Sequence, residues 1–580
     1  MHAALRGFIV TQRRRLRESE LAFILLAVVV GLAAGLSTNM LQLVAHGLQR
    51  LVYGVAANRL SALGEIHHPI RLLALPAGGL LLILFGRLLR DRKRTPVDVV
   101  EANALHGGRI PPGDNLIIAG QTVISNGMGA SVGLEAAYAQ MGGGIASQLG
   151  QWLKLRRNDL RTLVGAGAGA AVGAAFGAPM TGAFYAFEIV IGHYTPAAIA
   201  PVVAAALAAV FVSRAVGAEP WLIATTADRV VTIGDYLMFA LLGMLCAVLG
   251  IVIMRLVSAA ELRVQGWKRV ARWRPLIGGL LLMPLAWASP QTLSAGHGAL
   301  HLNMLLQPAI TILIAILVLK VVASVVSLSF GFRGGLFFAS LFLGSLAGQV
   351  FAGTANLLWP SLAVDANDAA LVGMAALSVS IVGGPMTLAL LMLETTHDFA
   401  LMGVVLTASL LSSALTREWF GYSFSTWRLH LRGSAVRSPR DIGWVRDLTA
   451  QRMMRRDWVA VGAGISVGAF RDHVPLGRSA KAILVDESGR YLGIIPTAAA
   501  YAPDLTKEAP VASLVGLNDV ALSPDCDIRA ILALFDKAGA DELAVLDDQG
   551  VVIGVLSEKH ARRRYFEEIE ASQRAMFREA

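Results

Sequence analysis

One carboxylate stands where carboxylates are costly. Glu135 lies in Gly133-Leu134-Glu135-Ala136-Ala137, within a glycine- and alanine-rich apolar stretch that has no basic residue between Arg109 and Lys154. An ionised carboxylate in hydrocarbon costs roughly 2.5–3.5 kcal/mol on insertion scales, so such a residue must face a protein-lined or wet cavity and is a functional-site candidate by default. The bland alternative is a loop glutamate at the membrane surface. No nucleophile, base and oxyanion set occurs together, so the chain does not read as an enzyme. The histidines, His193 and His397 among them, show no ligand spacing, and Cys246 and Cys526 belong to no metal cluster and form no obvious disulfide pair.

The elements that must position Glu135 are membrane helices. The chain has 580 residues, 55% of them hydrophobic and 16% charged, with a mean hydropathy of +0.60. That is too apolar for a soluble globular protein and reads as a multi-pass membrane protein. Its 59 glycines suit close helix packing. The net charge of +10 comes partly from Arg13, Arg14, Arg15 and Arg17 and from the run Arg87 to Arg94, which flank apolar segments. They read as cytoplasmic topology signals and not as a nucleic-acid surface. The first apolar run, from Leu21, continues through Val44 and reads as a retained helix and not a signal peptide.

Apolar segments recur from about residue 21 to residue 415, several of them too short or too interrupted by glycine and proline to span a ~30 Å core as straight helices. Broken helices at membrane depth line substrate paths. Gly133 precedes Leu134-Glu135, and some two hundred residues later Gly334-Gly335 precedes Leu336-Phe337-Phe338. This is the pattern of two repeat-related halves, each offering a half-helix N-terminus near the midplane. Such N-termini carry unpaired N–H groups and partial positive charge, so several of them converging make an anion site with no fixed cation. An anion is therefore the expected substrate class.

After Arg432-Gly433 the composition turns polar. Val485-Asp486-Glu487-Ser488-Gly489 leading to Ile494-Ile495 is echoed by Val545-Leu546-Asp547-Asp548-Gln549-Gly550 leading to Val555-Leu556. Each copy predicts a strand, a turn at glycine and a second strand, which together make a duplicated α/β module.

These stretches resemble the CLC family of chloride channels and chloride/proton antiporters, followed by a CBS-domain pair. Gly133 to Ala137 sits where that family has Gly-Arg-Glu-Gly-Pro. Phe176-Gly177-Ala178-Pro179, followed by Phe187-Glu188, resembles its Asn-Ala-Pro helix. Lys320 through Gly335-Leu336-Phe337-Phe338-Ala339 resembles its Gly-Gly-Ile/Val-Phe-Ala-Pro segment, and Leu393-Glu394-Thr395-Thr396 its Glu-Met-Thr-like helix. The resemblance implies an all-α polytopic fold with inverted repeats and broken helices, followed by a cytoplasmic α/β CBS pair. It makes Glu135 the gating glutamate and Gly133, Leu134, Leu336 and Phe337 the positions whose backbone N–H groups face the anion.

The departures are as informative. Arg92-Lys93-Arg94-Thr95-Pro96 replaces a Gly-Ser/His-Gly-Ile/Val-Pro motif, which makes Lys93 the inner anion ligand; the bland reading is one more juxtamembrane cation. The pore tyrosine falls at Ser425, with Tyr422 as a stand-in. The intracellular proton-transfer glutamate is Ile189, and Glu188 beside it reads as a structural carboxylate near a helix end. Lys320, on an apolar helix, must snorkel or find a partner. In the tail, Ser557 fits an adenine-nucleotide site while His560 replaces its aspartate, so a structural or dimerising tail and a nucleotide sensor are equally compatible.

The expected organisation is a basic segment 1–20, an anion-conducting domain 21–430, a linker 431–443, a CBS pair 444–572 and a tail 573–580. The expected function is passage of chloride or a similar small anion through a glutamate-gated, channel-like pore. The expected setting is a homodimer in a cell membrane, with both termini cytoplasmic, lipid around it, no nucleic-acid partner and no certain cofactor, an adenine nucleotide being one that the CBS pair could hold. A chloride/proton antiporter and a membrane-anchored nucleotide sensor with a degenerate pore are the alternatives.

Overall fold

The computed structural model describes residues 19–55, 60–66, 68–88, 96–218, 223, 231–360, 364–424, 426–427 and 448–577. The chain divides into two compact units, Met1–Asp441 and Ile442–Ala580. The first is helical. In chain order its helices are α1 (Glu20–Tyr53), α2 (Ala74–Leu88), α3 (Val99–Leu105), α4 (Pro112–Gly127), α5 (Glu135–Trp152), α6 (Arg157–Phe176), α7 (Pro179–Tyr185), α8 (Pro196–Ala215), α9 (Ile233–Gln265), α10 (Arg274–Ala288), α11 (His297–Leu306), α12 (Ile310–Ser329), α13 (Phe337–Leu358), α14 (Ala366–Val382), α15 (Pro385–Thr396) and α16 (Phe399–Trp419). A π-helical turn, Ala186–Ile191, extends α7. Seven of the described helical segments are long and apolar enough to cross a membrane, from Glu20–Tyr53 to Phe399–Trp419. The two longest, of 34 and 33 residues, reach about 50 Å at 1.5 Å per residue, longer than the hydrocarbon core is thick.

The expected breaks fall where glycine and proline stand. The apolar run 115–150 divides into α4 and α5 at Gly127–Leu134, and the run 368–393 divides into α14 and α15 at Gly383-Gly384. Gly129 has φ of +92°, and a Cβ there would meet Tyr53 Oη at 2.4 Å. That hydroxyl donates to the Met128 carbonyl at 2.9 Å, so α1 pins the loop that ends α4.

Glycines also set the spacing of the helix pairs that carry the two breaks. A Cβ on Gly142 of α5 would lie 2.2 Å from the Gly167 carbonyl oxygen of α6, and one on Gly167 2.4 Å from that of Gly142. In the second half, Gly344 of α13 and Gly373 of α14 stand in the same reciprocal relation at 2.2 and 2.3 Å. Both contacts require backbone on backbone, which only glycine permits.

Two further helices show the same exchange through carboxylates. Pro179-Met180-Thr181 opens α7 and Pro385-Met386-Thr387 opens α15. Glu394, near the end of α15, accepts from Met180 N and Thr181 N, both at 2.8 Å, and from Thr181 Oγ1 at 2.7 Å. Glu188, on the extension of α7, accepts from Met386 N at 3.2 Å, Thr387 N at 2.8 Å and Thr387 Oγ1 at 2.7 Å. Each half thus caps the other half's broken helix with a negative charge placed at the positive end of the helix dipole.

The second unit carries two copies of one module. In the first, β1 (Ala460–Gly462) pairs parallel with β2 (Lys481–Val485), which pairs antiparallel with β3 (Tyr491–Pro496). In the second, β4 (Glu542–Leu546) pairs antiparallel with β5 (Val552–Ser557). Short helices α17 (Ala450–Met453) and α18 (Val467–His473), with α19 (Ile528–Ala538) and α20 (Glu558–Phe577), cover these sheets. The hairpin turns are duplicates: Asp486 Oδ1 accepts from Ser488 N and Arg490 N, and Asp547 Oδ1 from Gln549 N and Val551 N. Gly489 and Gly550 take φ of +79° and +80° at the same place in each. Ile483, Ala544, Val552 and Val555 form a small buried cluster shared by both copies.

Candidate functional site

Two loops meet at Glu135. The peptide N–H of Gly133 donates to the Gly335 carbonyl at 2.9 Å, and Gly335 N–H returns to the Gly133 carbonyl at 3.2 Å. This two-residue antiparallel bridge ties the loop before α5 to the loop before α13. Behind it, Ser131 N donates to Ser327 Oγ at 3.0 Å, Asn126 Nδ2 to the Val132 carbonyl at 2.7 Å, and Arg333 N to Ser125 Oγ at 2.9 Å. Side chains of α4 and α12 therefore take up polar groups that the irregular backbone would otherwise leave unpaired at membrane depth.

Leu134 and Leu336 occupy the N-cap positions of α5 and α13, and neither offers a side-chain cap. The first-turn N–H groups there keep their positive end for something else. What sits there is the Glu135 carboxylate. The residue is 4% exposed, and the N–H groups of Glu135 and Phe338 face its carboxylate. Oε2 has no hydrogen-bond partner among the described residues. A Cβ on Gly133 would lie 2.0 Å from that oxygen and one on Gly335 3.2 Å from it, so the glycines leave the room that the carboxylate fills.

The carboxylate borders a chamber of about 130 Å³, which Gly335, Leu336, Phe337, Tyr185, Phe424 and Arg333 also line. Of the residues expected at an anion site, Glu135, Leu336 and Phe337 line this chamber. Gly133 stands against the carboxylate, and Leu134 lies between the chamber and a larger cavity. Lys93 and Ser425 lie outside the described residues. Tyr422 packs its ring against Trp427 at 5.2 Å, and the tyrosine at the chamber is Tyr185, from the end of α7. Arg333 was open to sequence reasoning, being a lone cation directly before Gly334-Gly335; its Nη1 donates to Gln121 Oε1 at 3.2 Å. Tyr185 and Phe424 carry no motif that points to the chamber.

Glu188 is committed to α15, as described, and Ile189 beside it is buried. Lys320 has no exposed surface. Its Nζ donates to the Thr292 and Ser294 carbonyls at 3.2 and 2.7 Å and lies 5.8 Å from the centre of the Phe342 ring. The partner that sequence left unnamed is thus a pair of peptide oxygens and a π face. In the second unit, Ser557 Oγ accepts from His560 N at 3.4 Å at the start of α20, so both residues belong to a helix cap.

Broken helices in two exchanged halves, with uncapped N-termini facing one buried carboxylate, define an inverted-repeat membrane transport protein with an anion-type site. The sequence pattern of the voltage gated chloride channel family matches residues 77–417, and that of the CBS domain matches residues 511–567. The chain belongs to the voltage-gated chloride channel family. It is 25% identical, over 342 residues, to the "Voltage-gated ClC-type chloride channel ClcB" of Escherichia coli O17:K52:H18 (strain UMN026 / ExPEC), a match covering 59% of this chain and 81% of that protein. In fold it is similar to a slow cyanobacterial Cl-/H+ antiporter (TM-score 0.62, 23% identity, 71% of this chain and 97% of that one). It is similar also to a eukaryotic CLC transporter (TM-score 0.61, 18% identity, 94% and 98%).

Proposed function

We propose that the chain passes chloride or a similar small anion through the Glu135 chamber, with the Glu135 carboxylate as gate. One observation carries this reading: the carboxylate lies on the uncapped starts of α5 and α13, where an anion would be stabilised by the same N–H groups. Carboxylate and anion exclude each other there, so passage requires Glu135 to be neutralised or displaced. Leu134, Leu336 and Phe337 supply the backbone donors, whereas the Gly133 N–H, expected to face the anion, is taken up by the Gly335 carbonyl; Lys93 and Ser425 are assigned to the inner part of the path, and Arg333 adds a fixed positive charge at the chamber. The flux is channel-like: Ile189 cannot carry a proton, and the Glu188 carboxylate is held by Met386 and Thr387. The basic flanks of α1 and α2 support a cytoplasmic N-terminus, and the reading puts the CBS pair on the same side, in a cell-membrane homodimer. Boundaries at 20/21, 430/431, 443/444 and 572/573 separate the functional segments.

Purified protein in liposomes under a chloride gradient tests this. Anion efflux is expected, with little proton movement. Absence of anion flux in every nucleotide condition would leave the membrane-anchored sensor as the reading, and uphill proton pumping driven by chloride would make the chain an antiporter.

A further inference from the structure

On the far side of Leu134 and Tyr138 from Glu135 lies a second cavity, of about 870 Å³. Its wall carries His46 and Arg50 of α1, Asn126 of α4 and Ser294, with His297 and His301 from the start of α11. Among the described residues that line it there is no Asp or Glu. Just behind Ser294 lies the buried ammonium of Lys320, both of whose hydrogen bonds go to carbonyls and neither to a carboxylate. A polar space lined by one guanidinium, imidazoles and carboxamide donors, with a buried ammonium behind it, concentrates anions.

A stack of three rings runs beside this cavity, and its Phe176 ring also packs 5.4 Å from the ring of Phe337, which lines the Glu135 chamber. His297 lies on Phe338 with ring centres 3.4 Å apart, and Phe338 stacks on Phe176 at 6.2 Å with an interplanar angle of 5°. His297 and Phe176 line the larger cavity. Phe338 faces the other way with its backbone: its N–H points at the Glu135 carboxylate, and its neighbour Phe337 lines the chamber. The ring itself is fully buried. In the segment that this stretch resembles, the same position is alanine.

We infer that the His297–Phe338–Phe176 stack is a constriction between an anion-collecting antechamber and the Glu135 chamber, and that the Phe338 side chain determines which anions cross it. The inference rests on the anion passage proposed above. An anion coming from the antechamber meets an apolar ring before it meets the N–H donors of α5 and α13, so it must shed water or displace the ring. Displacement costs the two aromatic pairings that hold Phe338. Small anions cross by the narrowest route, and larger ones are held back.

The test is anion efflux from liposomes that carry the full chain, with chloride and thiocyanate compared for wild type, Phe338→Ala, His297→Ala and Glu135→Gln. Phe338→Ala is expected to raise chloride efflux about tenfold, equivalent to about 1.4 kcal/mol of barrier, and thiocyanate efflux by more, so the thiocyanate-to-chloride ratio rises. His297→Ala frees one face of the ring without emptying the core, and is expected to move both rates the same way by a smaller factor; it decides the matter if Phe338→Ala does not fold. Wild-type rates and ratio in the folded variants, beside raised flux in Glu135→Gln, would overturn the constriction and leave the proposed passage standing. Anion flux in none of the four chains would overturn the passage and the constriction together.

Discussion

Glu135→Gln keeps the shape of the side chain and removes its charge. The carboxylate fills the space between Gly133 and Gly335, where a Cβ on Gly335 would already be 3.2 Å from Oε2. An anion arriving in the neighbouring chamber therefore comes to within one atomic contact. At ~4 Å and an effective dielectric constant of about 20, two unit negative charges repel by about 4 kcal/mol, which is roughly a thousandfold in anion occupancy. The neutral amide escapes this repulsion. It also accepts more weakly from the N–H groups of Glu135 and Phe338, since hydrogen bonds to an ionised acceptor are about twice as strong as neutral ones. Glutamine should therefore leave the site more readily as well as repel less. Part of the thousandfold is lost because glutamine still occupies volume, so the expected gain in anion efflux at neutral pH is about tenfold or more. Acidifying the outer solution protonates Glu135 in the wild type and should speed its efflux, whereas the glutamine variant should start high and respond much less. The assay is chloride-electrode efflux from liposomes at a series of external pH values. A Glu135→Gln protein that keeps the full wild-type pH response would refute the assignment, because the titrating gate would then lie elsewhere.

Truncation of either exchanged cap, Glu188→Ala or Glu394→Ala, removes two N–H bonds and a hydroxyl bond to an ionised acceptor and should destabilise the membrane unit by about 3 kcal/mol; thermal melting in detergent reads it, and unchanged melting would contradict the capping geometry. A chloride gradient should drive little uphill proton movement, measured with a pH dye, since Ile189 offers no titratable group. Arg333→Gln should lower efflux most at low anion concentration and flatten its dependence on ionic strength, because a fixed charge acts through the local anion concentration. Full-length protein titrated calorimetrically with ATP, ADP and AMP should show weak binding, as Ser557 is taken up in the α20 cap and a histidine lacks a carboxylate's acceptors for two ribose hydroxyls. Asp541 is held below its ordinary carboxylate range by the Lys481 ammonium that bonds to it. Its folded-state pKa is thus depressed, so the stability it contributes is present above the unfolded pKa and lost as pH falls through the folded one. Asp541 is the exposed partner and solvent screens the pair, so Asp541→Asn should lower the melting temperature of the second unit only slightly at neutral pH and not at all in acid.

The breaks and the two-half pattern were legible because glycine and proline punctuate an otherwise apolar sequence. Gly133 and Gly334-Gly335 announce half-helices, and the repeated Asp-to-Gly turns announce the duplicated tail. The carboxylate at the site is legible for the same reason: Glu135 has almost no charged neighbours in sequence. Hidden from sequence was everything that depends on which loops meet. Nothing in Tyr185 says that it reaches the chamber of a residue fifty positions earlier, and nothing in Phe338 says that its ring is stacked between α6 and α11. Lys320 was recognised as anomalous, but carbonyl partners have no side-chain signature. Glu188 was read as structural, yet its partner, the start of α15, was visible only in the repeated Pro-Met-Thr and the glutamate nine residues after each proline, a pattern whose crossing only the fold shows.

The crossed caps also impose an order on synthesis. Thr181 and the glutamate that satisfies it, Glu394, are 213 residues apart in the chain. At 5–20 residues per second, roughly 10–40 s pass between the first and the second leaving the ribosome. During that interval the start of α7 lacks the carboxylate that caps it in the folded chain, and Glu188 lacks the start of α15. Neither half can complete its own broken helix, so the first is an unfinished guest of the bilayer until the second arrives. A gene cut between α8 and α9 should therefore yield two pieces that are each less stable alone than when made together, each supplying the other's missing cap.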